Sequence, residues 1–327
     1  MGELVAQALD SERHQLTDVT EAFSGARLEQ AELPGGASVV IKFLPREGDW
    51  LTRATGGAGR LRRLWESSLL HRVEPFVDHT ILDIDAIDGE EVVVMRDARE
   101  DLLPARTPVS IGTSAGLLTG LASMHLHCSS EHVDGLCSIA ARYAMFAPAF
   151  HAADSGAGRH PMADRFQLGW NLFAEHADRD LADAIFAVHR EPERLGRRLE
   201  QFPPTLLHGD AKLENLGRTN NRIVAIDWGD LTGIGPREVD VAWYALKGAA
   251  RIGCAPGELF TQYEQVSGAH LDPEAVDLVC VGSLAQMGFR LALGAFDKGP
   301  EPTEIASTQL EWWQTRAHAA LDRLGLV

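Results

Sequence analysis

Two unusual stretches sit close together in the second half of the chain. The first, "LLHGDAKLENLG" (Leu206–Gly217), gathers His, Asp, Lys, Glu and Asn in one short, turn-like run. The second, "IVAIDWGD" (Ile223–Asp230), is an apolar run that carries aspartate at its end. An ionised carboxylate at the mouth of a buried strand is expensive unless something compensates it. The chain must therefore fold so that a polar loop, a short strand and Asp227 converge on partners or on a cation. Asp210 and Asn215 are five positions apart, and Asp227 follows Asn215 by twelve.

Those residue types suit one chemistry. Phosphoryl transfer needs a carboxylate beside the attacking hydroxyl, divalent metal on the phosphate oxygens and cations on the donor. Mg2+ is a hard ion that prefers oxygen ligands, which Asn215 and Asp227 both offer. The competing reading, a polar turn that caps neighbouring elements, leaves the coincidence of three requirements unexplained.

Composition excludes other classes. The formal charge of −17 argues against a nucleic-acid partner, which demands a basic face. No apolar run reaches the roughly 18 residues of a membrane span. The start "MGELVAQALDSERHQ" lacks the basic and apolar regions of a signal peptide. Four cysteines without CxxC spacing indicate neither a zinc site nor a disulfide framework. The expectation is a cytoplasmic protein that binds no nucleic acid and no membrane. Its oligomeric state cannot be read from the sequence.

The first hundred residues look strand-rich. "LEQAEL", "PGG" and "ASVVIKFL" predict a hairpin. "RLRRLWESSLLHRV" predicts a helix. "TILDIDAI" and "EVVVMRD" predict two strands joined at Asp88-Gly89. Beyond Asp101 helical patterns dominate, around residues 162–178, 180–201, 237–251, 273–296 and 303–324, and "HAADSGAGRH" (His151–His160) reads as a flexible loop. Two lobes are expected, residues 1–97 and 98–327.

His208, Asp210, Lys212, Glu214 and Asn215 fit the pattern H-x-D-x-K-x-E-N and resemble the catalytic loop of protein kinases. The His-Gly-Asp start and "IDWGD" look more like the aminoglycoside phosphotransferase and choline kinase branch of that fold. The resemblance implies an α+β, bilobal protein-kinase-like fold, with a small β-rich N-terminal lobe and a larger helical C-terminal lobe. It implies Asp210 as catalytic base, Lys212 as a phosphate-contacting residue, and Asn215 and Asp227 as Mg2+ ligands. Lys42, inside "SVVIKFL", would pair the nucleotide phosphates, and Glu66 is its helix partner by elimination. Ser24 and Gly25 would cover the phosphates. Backbone groups near Met95 to Asp97 would meet the purine of ATP, with GTP as an alternative donor. Asp240 and His208 would brace the loop.

The segment after Asp227 is too short for a peptide platform, so a small hydroxylated acceptor is expected. That acceptor would bind near residues 143–176 and the last two helices. An acidic ring (Asp230, Glu258, Glu264, Asp297, Glu311) would suit an aminated acceptor, and Trp312-Trp313 a choline-like ammonium. A non-catalytic, pseudokinase-like nucleotide-binding module is the alternative, and it predicts loss of Lys42, Asp210, Asn215 or Asp227. His125 and His127, two apart, fall on different helix faces and predict no metal site with Cys128.

Overall fold

The computed structural model describes residues 2–16, 26–44, 50–129, 133–156, 163–219, 222–297 and 303–324. The chain begins with α1 (Glu3–Asp10), β1 (Arg13–Gln15), β2 (Arg27–Glu32), β3 (Ser38–Leu44), α2 (Trp50–Thr55), α3 (Arg60–Glu66) and α4 (Leu69–Val73). Then come β4 (Val77–Asp78), β5 (Ile81–Ile87) and β6 (Glu90–Arg96). A helical run follows: α5 (Ile111–His127), α6 (Ile139–Ala144), α7 (Pro148–Gly156), α8 (Ala163–His176), α9 (Arg179–Arg190) and α10 (Pro192–Leu199). Short strands β7 (Thr205–Leu207), β8 (Leu216–Arg218), β9 (Ile223–Ala225) and β10 (Gly233–Gly235) precede α11 (Glu238–Ile252), α12 (Pro256–Ser267), α13 (Pro273–Phe296) and α14 (Thr303–Leu324).

The N-terminal sheet is antiparallel, in the order β1-β2-β3-β6-β5. Its two expected hairpins form for local reasons. Leu33 N–H donates to Ala37 O across the Pro34–Gly36 turn at 2.9 Å. Asp88 and Gly89 both take positive φ, 52° and 87°, as a tight two-residue hairpin turn requires. In β3 buried and half-buried positions alternate, so Val39, Ile41 and Phe43 enter the core while Lys42 faces the other side. A small core joins α1 to β2, β3 and β6 through Val5, Ala8, Ala31, Ile41, Val92 and Val94.

The larger core belongs to the helices, yet it also takes Leu61, Leu64, Leu69, Leu70 and Val77 from the first hundred residues. Strand β4 pairs in parallel with β9, which docks the α3–β4 stretch on the segment that leads to Asp227. Arg96 reinforces this connection by gripping Asp78 at 2.7 Å and Asp101 at 2.6 Å.

Several expectations need correction. The helix expected over residues 60–73 is two helices, broken where Ser68 turns left-handed at φ 62°. The pattern over 180–201 is likewise split, because Pro192 starts a new helix. His151–Gly156 is helical, the second part of α7. Helix α12 was not expected. It starts at Pro256 and is fixed by Glu258, whose carboxylate accepts from Ala255 N at 2.8 Å. Helix α13 alone among the described helices is long and apolar enough to cross a membrane, and 83% of its apolar window is buried inside the fold. Its length reflects its place as the central helix of the larger core.

Candidate active site

The loop from His208 to Asn215 connects β7 to β8 and is held from beneath by Asp240, which is wholly buried near the start of α11. The Asp240 carboxylate accepts from His208 N at 2.7 Å and Gly209 N at 2.9 Å, and contacts His125 Nε2 at 3.2 Å. Burial alone would raise its pKa, but the bond to His125 and nearby positive charge outweigh that and lower it. His125 in turn meets the Tyr263 hydroxyl at 2.8 Å. His125 is therefore a structural residue of the core while His127 is exposed. Gly209 has φ 84°, and a Cβ there would lie 1.8 Å from Leu231 O, so only glycine fits.

His208 ties this loop to the segment that carries Asp227. Its Nδ1 accepts from Asp210 N at 3.2 Å, which leaves the proton on Nε2 to donate to Ile226 O at 3.1 Å. Burial lowers its pKa, so the ring is a neutral brace. Thr232 adds a second tie: its hydroxyl donates to His208 O at 3.1 Å and accepts from Gly229 N at 3.0 Å. The strand β10 then pairs antiparallel with β7.

Asp210 is fixed by three donors. Lys212 Nζ and Asn215 Nδ2 both lie 2.9 Å from Oδ2, and Trp243 Nε1 lies 2.8 Å from Oδ1. Trp243, on the first turns of α11, was missed in the sequence, where "VAWYAL" read simply as an apolar helix. Asn215 also donates to Asp210 O at 3.0 Å. With its amide hydrogens turned inward, the atom it can offer to a cation is its carbonyl oxygen. Burial would lower the Lys212 pKa, but Asp210 and Asp227 outweigh it and raise it.

Asp227 lies two residues beyond β9, at φ 67°. The β3 residue Lys42 reaches it across the cleft, Nζ to Oδ1 at 2.7 Å. That ammonium, above all, pulls the Asp227 carboxyl down to about 2. The Asp227 side chain is 44% exposed, against 15% for Lys42, so a carboxylate oxygen remains open to the cleft. Lys42 also lines a cavity of about 370 Å3 with Thr52, Arg60, Glu91 and Asp230. The fold thus brings Lys42, Asp210, Lys212, Asn215 and Asp227 together.

Glu66 is not part of this cluster. It is exposed at the end of α3 and shares no ion pair with Lys42, whose observed carboxylate partner is Asp227. Met95 sits within β6, opposite Val40 of β3 and Ile81 of β5, so its backbone belongs to the sheet. Asp97 lies just beyond the strand. Its carboxylate is held by Arg99 at 2.6 Å and Ser38 at 3.1 Å, and the bond to Arg99 does most to bring its pKa to about 2. Ser24 and Gly25 lie outside the described residues.

The expected acidic ring does not assemble. Asp230 accepts from Thr52 at 2.9 Å and lines the cavity beside Lys42. Glu258 caps α12, Glu264 accepts from Leu271 N at 2.9 Å, and Asp297 pairs with Arg165 at 3.8 Å. Glu311 is exposed. Trp313 is wholly buried, and Trp312 meets it edge-on at 4.8 Å and packs on Phe260. This pair is core rather than an ammonium cage.

The phosphotransferase enzyme family model matches residues 90–279, and the chain belongs to that family. No curated protein matches it by sequence. Among solved structures, an aminoglycoside phosphotransferase from Alicyclobacillus acidocaldarius is 14% identical with a TM-score of 0.50, over 100% of this chain and 97% of its own. Aminoglycoside phosphotransferase APH(3'')-Id from Streptomyces rimosus, solved with ADP and streptomycin, is 12% identical with a TM-score of 0.53, over 88% and 99%. Choline kinase LicA from Streptococcus pneumoniae is 13% identical with a TM-score of 0.50, over 97% and 94%. The fold is the α+β, bilobal protein-kinase-like one that the motifs implied.

Proposed function

We propose that the chain is an ATP- and Mg2+-dependent O-phosphotransferase that moves the γ-phosphoryl group to a hydroxyl of a small molecule. The observation that carries this reading is the Asp210 carboxylate, fixed by Lys212, Asn215 and Trp243 beside the Lys42–Asp227 pair. Family membership supports it. Residues 1–97 serve as the nucleotide lobe and residues 98–327 as the catalytic and acceptor lobe.

In the reaction, Asp210 orients the acceptor hydroxyl and takes its proton as the oxygen bonds to the γ-phosphorus. The bond from that phosphorus to the bridging oxygen breaks, its electron pair leaves with ADP, and the proton passes from Asp210 to solvent. Lys42 supplies positive charge at the donor phosphates. The Asn215 carbonyl and the Asp227 carboxylate are hard oxygen donors that fit Mg2+ and would hold it. Bound there, the ion would neutralise the phosphate oxygens.

All four residues whose loss would mark a non-catalytic module, Lys42, Asp210, Asn215 and Asp227, are present. ADP release with Mg-ATP or Mg-GTP across a panel of hydroxylated acceptors tests the proposal. Acceptor-stimulated release is expected. An absence of both nucleotide turnover and nucleotide binding would return the chain to the non-catalytic reading.

A further inference from the structure

One turn beyond Trp243 on the same face of α11 stands Lys247. Its ammonium lies 5.6 Å from the centre of the Trp243 ring, the ring whose N–H holds Asp210. Among the described residues it forms no hydrogen bond and no ion pair, although it is half-buried. Its electrostatic neighbours are Arg290 on α13, Lys212 and Asp210 on the catalytic loop, and Glu214. Lys212 is already bound to Asp210 at 2.9 Å, and Glu214 is bound to Arg251 at 3.1 Å. Burial first, then Arg290 and Lys212, pulls the Lys247 pKa down to about 8.

A half-buried cation with no hydrogen-bonded or paired carboxylate is a cost that a fold keeps only where it is harmless or where a ligand relieves it. Here it stands beside the carboxylate that orients the acceptor. A polyammonium acceptor would add like charge to this spot, and Asp230, Glu258, Glu264 and Asp297 are each held by another residue. Lys42, on the sheet side of the cleft, already provides for the donor phosphates.

We propose that the acceptor is an anionic alcohol, a molecule carrying a carboxylate or phosphate group near its reactive hydroxyl, and that Lys247 binds that acidic group. The proposal rests on the phosphotransferase reading above and narrows its substrate class. An acid in this position gives the Lys247 ammonium the hydrogen-bonded counter-ion it lacks among the described residues, in a charge-assisted hydrogen bond. Trp243 then serves both partners, with its N–H on Asp210 and its ring face under Lys247.

Residue-resolved acetylation of the full chain at pH 8, read by peptide mass spectrometry, tests both claims separately. A lysine whose pKa burial draws down acylates faster at this pH than ordinary lysines. Mg·AMP-PNP is added first, and protection of Lys42 reports whether the nucleotide site exists. With the nucleotide kept in place, D-gluconate, glucose 6-phosphate, D-glucose, D-glucosamine and spermine are each added. We expect gluconate or glucose 6-phosphate to slow acetylation of Lys247 about tenfold, and the relative strength of the two to name the acid. Glucosamine and spermine should leave it unchanged.

Protection by the ammonium compounds would overturn the inference, as would failure of both acids to protect. Protection of Lys247 by the nucleotide alone would also overturn it, because the lysine would then serve the donor. Failure of the nucleotide to protect Lys42 would count against the phosphotransferase reading, while the acids still judge Lys247.

Discussion

Replacing Trp243 with phenylalanine isolates one contact at the candidate catalytic carboxylate. The ring remains in place for packing, but the indole N–H that lies 2.8 Å from Asp210 Oδ1 is lost. Lys212 and Asn215 still hold Oδ2, both at 2.9 Å, so the carboxylate can rotate about that anchored side. A hydrogen bond to a charged group contributes about 1.5–3 kcal/mol. If that energy fixes the carboxylate for proton transfer, its loss appears in the barrier, where about 1.4 kcal/mol is tenfold in rate. The expected result is a fall in kcat of about ten- to a hundredfold, with the KM for nucleotide unchanged. Steady-state ADP release measures both constants, and a melting curve shows whether the fold is intact. The same substitution in an Asp210→Asn background should cost almost nothing further, because the two residues act through one bond. A kcat within twofold of wild type, or a penalty that persists in the Asp210→Asn background, would refute the assignment of Trp243 as a positioning residue.

Asp210→Asn itself should fold normally and lose about 10² to 10⁴ in turnover; retained turnover would remove Asp210 from the base role. Asp240→Asn should destabilise the chain by about 3 kcal/mol, since it breaks a buried pair and sets an amide against the His208 and Gly209 N–H groups. A denaturant midpoint within error of wild type would contradict that. Acid should weaken the fold in two windows. Burial depresses the folded pKa of His208 and His79, so the unfolded chain binds protons first as pH falls through about 6.5. Stability then drops by up to about 1.4 kcal/mol per pH unit for each ring. Asp227, with its folded pKa drawn down to about 2 by Lys42, adds a further loss as pH falls below the ordinary carboxylate range. His208→Gln should reduce the slope in the first window, leaving the His79 share, and an unchanged slope in urea unfolding between pH 7 and 5 would refute a contribution from the His208 ring.

Much of the fold follows from local signals. The hairpins were legible because Asp88-Gly89 and Pro34–Gly36 have the turn chemistry their backbones require. Helices α13 and α14 were legible because long apolar periodicity has few competing outcomes. The split at Ser68 was hidden because nothing in "RLRRLWESSLLHRV" forbids a continuous helix. Only docking onto the larger core and onto β9 decides it. Glu66 stands exposed, apart from the Lys42–Asp227 pair, because elimination by charge cannot say which way a short helix faces. In the site, Asp210 and Asn215 stood out by their spacing in a dense polar loop, and Asp227 as a carboxylate at the end of an apolar run. Trp243 and Lys247 did not, because both are ordinary residues of an amphipathic helix until the catalytic loop is laid across them.

The pairing of β10 with β7 has a consequence for control. The segment beyond Asp227 is stitched to the strand that leads into the catalytic loop, and Thr232 fastens both ends. A protein kinase uses its counterpart as a movable gate, opened and shut by covalent modification. Here the gate is part of the wall. Any displacement of the segment beyond Asp227 must first break the β7–β10 pairing and the Thr232 ties.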